Sequence, residues 1–280
     1  ASTRAAPLTP ADRAFLAETA LGPTVDVSFA TAAAGKGLSL TGSVASRGVS
    51  ANLVGTLTST EIALTTISAE TRMTPETQRA LRMKLMPEAT DLPELTAPAV
   101  LRLSVDPLKI PMKPGLAPDL EAARGDLVAK VSSPQQILVR IPPKAGQPAL
   151  GTVGLRDLAA QASLPLQVAL GKKGERGVLT ATLGAQALRV VSGGSPQDVG
   201  VLAASVSGEV MDLNPAPGST LRLTAGARQL ATAFLDELSG KAGYATGGLG
   251  ETASVEARVA VLPPANSPTW ASLASGTINA

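Results

Sequence analysis

The chain has no histidine and no cysteine, and its five aromatic residues are Phe15, Phe29, Phe234, Tyr244 and Trp270. Each absence removes chemistry. Without His no side chain titrates near neutral pH in its ordinary state, and without Cys or His there is no thiol nucleophile and no usual zinc or iron–sulfur ligand set. Charged residues make up only 16% of the chain, and the formal net charge is +2. The basic residues are scattered, with Lys172, Lys173 and Arg176 the densest group, and no aromatics stand beside them as stacking platforms. Nucleic acid is not an expected partner. No run reaches the roughly 18 to 20 consecutive apolar residues of a membrane-spanning helix, and Ala1 to Pro10 lacks the layout of a signal peptide.

What the chain does have is aliphatic bulk, with 44% of its residues hydrophobic. At 280 residues it is long enough to bury a core without disulfides or metals. The lack of Cys fits an envelope or extracellular home in which stray disulfides are avoided. A start without Met and a close at Ser275-Gly276-Thr277-Ile278-Asn279-Ala280, like a strand cut short, are expected of a segment whose targeting and anchoring elements lie outside it.

Apolar and polar residues alternate through most of the sequence, the period-two mark of strands with one buried face. Examples are Val25 to Phe29; Leu38 and Leu40; Leu101, Leu103 and Val105; Ile137, Val139 and Ile141; Leu166, Val168 and Leu170; Leu221 and Leu223; and Val255 to Val261. Turn signals fall at Gly35-Lys36-Gly37, Ser46-Arg47-Gly48, Gly171 to Gly177 and Ser192-Gly193-Gly194. Four segments break the rhythm as helices. Thr9-Pro10 and Thr74-Pro75 are capping starts for helices near 10–21 and 75–86, each with an acid in its first turn. Apolar residues at helical spacing, Leu155, Leu158, Ala159 and Ala162, and then Ala227, Leu230, Ala231, Phe234 and Leu238, predict helices near 153–163 and 227–239.

The expected fold is α+β: predominantly antiparallel, strongly bent sheet, with the four amphipathic helices packed on its apolar face. The helix starts suggest a diverged helix-plus-strands repeat, giving two halves at 1–145 and 146–280, with Pro-rich stretches 87–98 and 142–150 as boundaries; a single domain with four unrelated helices is the alternative.

No set of catalytic residues emerges. Gly171 to Gly177 lacks the phosphate-loop spacing, and Gly243 to Gly250 misses the dinucleotide fingerprint and reads as a flexible connector. Arg124-Gly125-Asp126 reads as a turn before a strand, Ser239 and Lys241 as a helix end, and the acid pairs Asp236 with Glu237 and Asp91 with Glu94 as wet faces. No cofactor and no metal are expected, and an enzyme is not. A bent sheet with an aliphatic inner face could instead hold acyl chains. At about 0.8 kcal/mol per buried CH₂, a 16-carbon chain gains on the order of 12 kcal/mol in gross transfer energy. The residues expected to face lipid are Leu38, Leu40, Leu101, Leu103, Ile137, Val139, Val255 and Val259. If helices plug that face, no groove remains.

Long amphipathic strands with Thr-Pro-started helices, the stretches Val100 to Pro111 and Ala123 to Val131, and the closing Ser275 to Ala280 resemble segments of AsmA-like proteins of the bacterial envelope. The resemblance implies a periplasmic, β-rich element anchored to the inner membrane from outside this segment. Its implied work is moving phospholipid or supporting outer-membrane assembly, with other envelope proteins as partners. The competing expectation is a structural or protein–protein interaction module that binds no lipid.

Overall fold

The structure is a computed structural model, and residues 10–85, 92–142, 151–190, 195–262 and 278–279 are described. In chain order they form α1 (Pro10–Leu21), β1 (Val25–Ala34), β2 (Gly37–Ser46), β3 (Val49–Leu57), β4 (Glu61–Met73), α2 (Pro75–Leu85), β5 (Glu94–Leu95), β6 (Ala99–Val105) and β7 (Leu108–Lys113). There follow β8 (Ala117–Pro118), β9 (Asp126–Ser132), β10 (Ile137–Arg140), β11 (Thr152–Pro165), α3 (Leu166–Ala169), β12 (Arg176–Val190) and β13 (Pro196–Met211). The last are β14 (Asn214–Pro215), β15 (Leu221–Ala231), α4 (Thr232–Ser239), α5 (Tyr244–Leu249), β16 (Thr252–Val261) and β17 (Ile278–Asn279).

Every strand pairing is antiparallel. The spine of the sheet runs β1-β2-β3-β4-β6-β9-β11-β12-β13-β15-β16, eleven strands in order. β6 and β7 act as one strand broken at Asp106-Pro107, pairing with the two halves of β4. Proline has no N–H for the ladder, so the break falls there. Strands from both expected halves share the sheet, because β11 pairs with both β9 and β10.

The α+β expectation with four helices on the apolar face is overturned, since the described residues are mostly antiparallel strand and the helices are short. α1 and α2 lie where their Thr-Pro starts place them, and Thr74 Oγ1 accepts the Thr77 N–H at 3.2 Å. The helix expected near 153–163 is β11, and of the one expected near 227–239, residues 227–231 belong to β15 while Thr232–Ser239 form α4. Both errors have one cause. The register slips between Arg156 and Ala159 and again between Ala227 and Leu230, with Asp157 and Gln229 at φ of 53° and 52°. A bulge inserts residues into a period-two pattern, and the apolar positions on either side then mimic helical spacing. Without a helix at 153–163, the series of four recurring helix starts on which the helix-plus-strands repeat rested is broken.

Two smaller readings also change. Leu166, Val168 and Leu170 do not alternate along a strand; Leu166 and Val168 are buried in α3 between Pro165 and Gly171. The expected connector at Gly243 to Gly250 contains α5. The turn at Ser192-Gly193-Gly194 and the stretch 143–150 lie outside the described residues.

The helices gather at strand ends. α1 seats against the β2–β3 turn, where Arg47 N–H donates to Leu21 O at 3.0 Å and Arg72 N–H to Gly48 O at 2.8 Å. A Cβ on Gly48 would stand 1.8 Å from the Ala20 carbonyl oxygen. Gly48→Ala is therefore expected to destabilise the fold by about 1–3 kcal/mol, as overpacking does, read as a lower urea midpoint. An unchanged midpoint would contradict this seating of α1.

Candidate functional site

In an antiparallel sheet, directly opposed residues share a face and successive residues alternate between faces. Following the partners across the spine gives one row made of Phe29, Gly42, Leu53, Ile67, Val105, Ala129, Ala162, Ala181, Val206, Leu223 and Val259. The next row on that face is Val27, Val44, Ala51, Ala69, Leu103, Val131, Ala160, Leu183, Ala204, Ala225 and Ala257. Neither contains a polar side chain. The row between them, on the opposite face, is Ser28, Ser43, Asn52, Ser68, Ser104, Lys130, Gln161, Thr182, Ser205, Thr224 and Arg258. It contains no apolar one.

Across these three central rows the sheet is thus one-sided. Ten strand-to-strand steps of about 4.8 Å make the apolar track on the order of 48 Å long. The polar face is laced by exposed ion pairs, including Arg102–Glu70 at 2.8 Å, Lys130–Asp106 at 2.6 Å and Arg176–Glu209 at 3.5 Å. Such pairs add little stability; they keep that face in water.

The apolar face is open through its middle. Leu103, Leu183 and Leu223 are 40%, 41% and 40% exposed, and Val255 is 59% exposed. Residues of β9, β11, β12, β13 and β15 wall one apolar hollow of about 410 Å³, with Val131, Ala162, Leu183, Val206 and Leu223 among them. Among the described residues, cover lies at the margins of this face. α2 leans over one end, where Met73, Leu81, Leu92 and Val139 line a recess, and at the other end Val168 of α3 lies against Gly177.

The eight lipid-facing candidates fall as follows. Leu103 and Val259 belong to the two rows. Leu38, Leu40, Leu101 and Val255 flank them on the same face, opposite Ala33, Thr31, Thr71 and Ala227. Ile137 and Val139 pair with Leu155 and Val153 beyond the β11 bulge, and Val139 joins the face at the α2 recess. The floor of the hollow, Ala129, Ala160, Ala162, Ala181 and Ala204, was missed. Its signal was alternation in which alanine supplies the apolar residue, a weak mark because alanine is common in helices.

The polar clusters are structural. Lys172 bridges Glu121 at 3.0 Å and Glu175 at 2.9 Å, which raises its pKa, chiefly through Glu175. Glu237 pairs with Arg189 at 2.7 Å. Asp236, 6% exposed, accepts the Thr246 hydroxyl at 2.7 Å and the N–H groups of Gly243 at 3.1 Å, Thr246 at 3.2 Å and Ala245. The Thr246 hydroxyl, then these N–H groups, hold its carboxyl below the usual range, against burial acting the other way. Among the described residues no three acidic, His or Cys side chains gather so as to hold a metal ion, and no helix is long and apolar enough to cross a membrane.

Comparison with known protein families, curated proteins and solved structures gave no match.

Because the folded pKa of Asp236 lies below its unfolded value of about 3.9, its hold on α5 is fully present above that pH and is lost as pH falls through the folded pKa. Amide exchange at Gly243, Ala245 and Thr246, corrected for intrinsic rates, is expected to speed up below about pH 4, and Asp236→Asn to weaken protection at neutral pH. Protection that ignored both changes would contradict the role given to this carboxylate.

Proposed function

We propose that this protein binds the acyl chains of phospholipid or related lipids along the apolar face of its sheet, catalyses no reaction, and works in the bacterial cell envelope on the periplasmic side. The observation that carries the reading is the pair of uninterrupted apolar rows, half-buried to exposed on one face and backed by an uninterrupted polar row on the other. Soluble monomers rarely expose contiguous apolar patches beyond a few hundred Å², and larger ones mark binding surfaces. The chemistry suits acyl chains. The rows are aliphatic apart from Phe29, they offer no hydrogen-bond donor or acceptor, and alanine keeps the floor smooth. One leaflet of a bilayer core is about 15 Å thick, so a track of about 48 Å seats a chain with room to move along it. The resemblance to AsmA-like proteins agrees with this reading and supplies its cellular setting.

Protein extracted gently from bacterial cells is expected to carry phospholipid in native mass spectra, and delipidated protein to take it up from vesicles. Affinity for single-chain lipids should rise with chain length by up to about fourfold per CH₂. Leu183→Asp, which puts a charge in the hollow, should weaken uptake at least tenfold without loss of fold. A delipidated wild-type protein that ignores phospholipid vesicles would end the proposal.

A further inference from the structure

We infer that the free edge of β1 is a dimerisation edge, to which a second copy of this chain adds its own β1, antiparallel, about a two-fold axis perpendicular to the sheet. β1 ends the spine, and among the described residues its strand partner is β2 alone. All ten of its residues are exposed, with Val27 at 71% and Phe29 at 68%. Native edge strands are normally blunted by basic residues, proline, bulges or a cover. β1 has no Lys, Arg or Pro, its only charge is Asp26 near its start, and it pairs with β2 without a register shift.

The opposite edge is different. β16 carries Glu256 and Arg258, an ion pair in mid-strand, and β17 pairs with its last two residues. Among the described residues, one edge is guarded and the other is not. An open filament would need both edges, whereas a two-fold dimer needs one surface used twice and then closes.

The two-fold arrangement also satisfies the chemistry of the faces. β1 and β16 run in the same direction along an eleven-strand antiparallel spine, so joining one to the other with apolar faces aligned would be parallel. Joining β1 to β1 about an axis normal to the sheet is antiparallel and leaves both apolar faces on one side. Registers centred at Phe29 or Ala30 set Asp26 opposite Ala32 or Ala34 of the second copy, avoiding a contact between like charges. Centred at Phe29, the Phe29 row meets its own copy and Val27 faces Thr31; centred at Ala30, Val27 faces Ala33 and Phe29 faces Thr31, so the apolar face runs on across the junction with Thr31 beside it.

The test is light scattering and sedimentation of the full chain beside the double variant Ser28→Lys/Ala30→Lys, which sets lysines opposite one another in either register, on the polar face of β1, and leaves the apolar face untouched. The wild type is expected at twice the 28.1 kDa monomer mass. The lysine variant should dissociate at least tenfold more readily with an unchanged circular dichroism spectrum, and Ser254→Lys on β16 should remain dimeric. If the lysine variant does not fold, hydrogen exchange on the wild type decides, since β1 amides should lose protection on dilution. A wild type monomeric at every concentration, a dimer indifferent to the β1 lysines, or one broken by Ser254→Lys would overturn the inference.

Discussion

Everything in this molecule depends on register. Side chains alternate with a period of two, so sliding one strand by a single residue would move all its aliphatic groups to the water side. Eleven strands keep phase with one another, and the register shifts in the spine, at Val54/Gly55, Arg156/Ala159, Ala187/Leu188 and Ala227/Leu230, fall outside the two apolar rows. The bulges bend and twist the strands toward their ends, where helices and short strands attach, and the central strip stays regular.

This arrangement changes what holds the fold together. Among the described residues 13 hydrophobic side chains are buried, while 18 large ones are exposed, so no single interior core accounts for stability. The ladder itself and small cores at strand ends do the work. One such core lies at Leu166, Val168, Val210 and Leu221 near α3, and another at Leu188, Val199 and Leu230 near α4, where the Thr232 hydroxyl donates to the Gly250 carbonyl. Each strand leans chiefly on its two neighbours, as in solenoids, whose units also contact only those beside them. The middle of the apolar face is held by cross-strand pairs and stays half-buried to exposed.

The strands were legible where alternation involved large residues, as at Leu101 and Leu103 or Val255 and Val259. The helices were legible where chemistry marked a start, as at Thr74-Pro75. What misled was the combination of bulges and alanine. In β11 the slip after Arg156 puts Leu155, Leu158, Ala159 and Ala162 at helical spacing although Ala160, Ala162 and Leu164 point to the apolar face. The same happens where Ala227 and Leu230 flank the β15 slip. Asp236 looked like one of two wet acids because nothing local signals that a loop ten residues later will return its N–H groups to that carboxylate. The candidate face was partly visible as isolated positions; its continuity depends on cross-strand pairing, which no local pattern specifies.

If one face meets lipid and the other meets water, the absence of cysteine makes that difference directly measurable. A polarity-sensitive fluorophore on Ala204→Cys reports from the apolar rows, and the same label on Ser205→Cys reports from the polar face one residue away. On adding phospholipid vesicles, the account predicts that the Ala204 label shifts to the blue and becomes shielded from an aqueous quencher, while the Ser205 label does not. Equal responses at the two positions, or none at either, would contradict it.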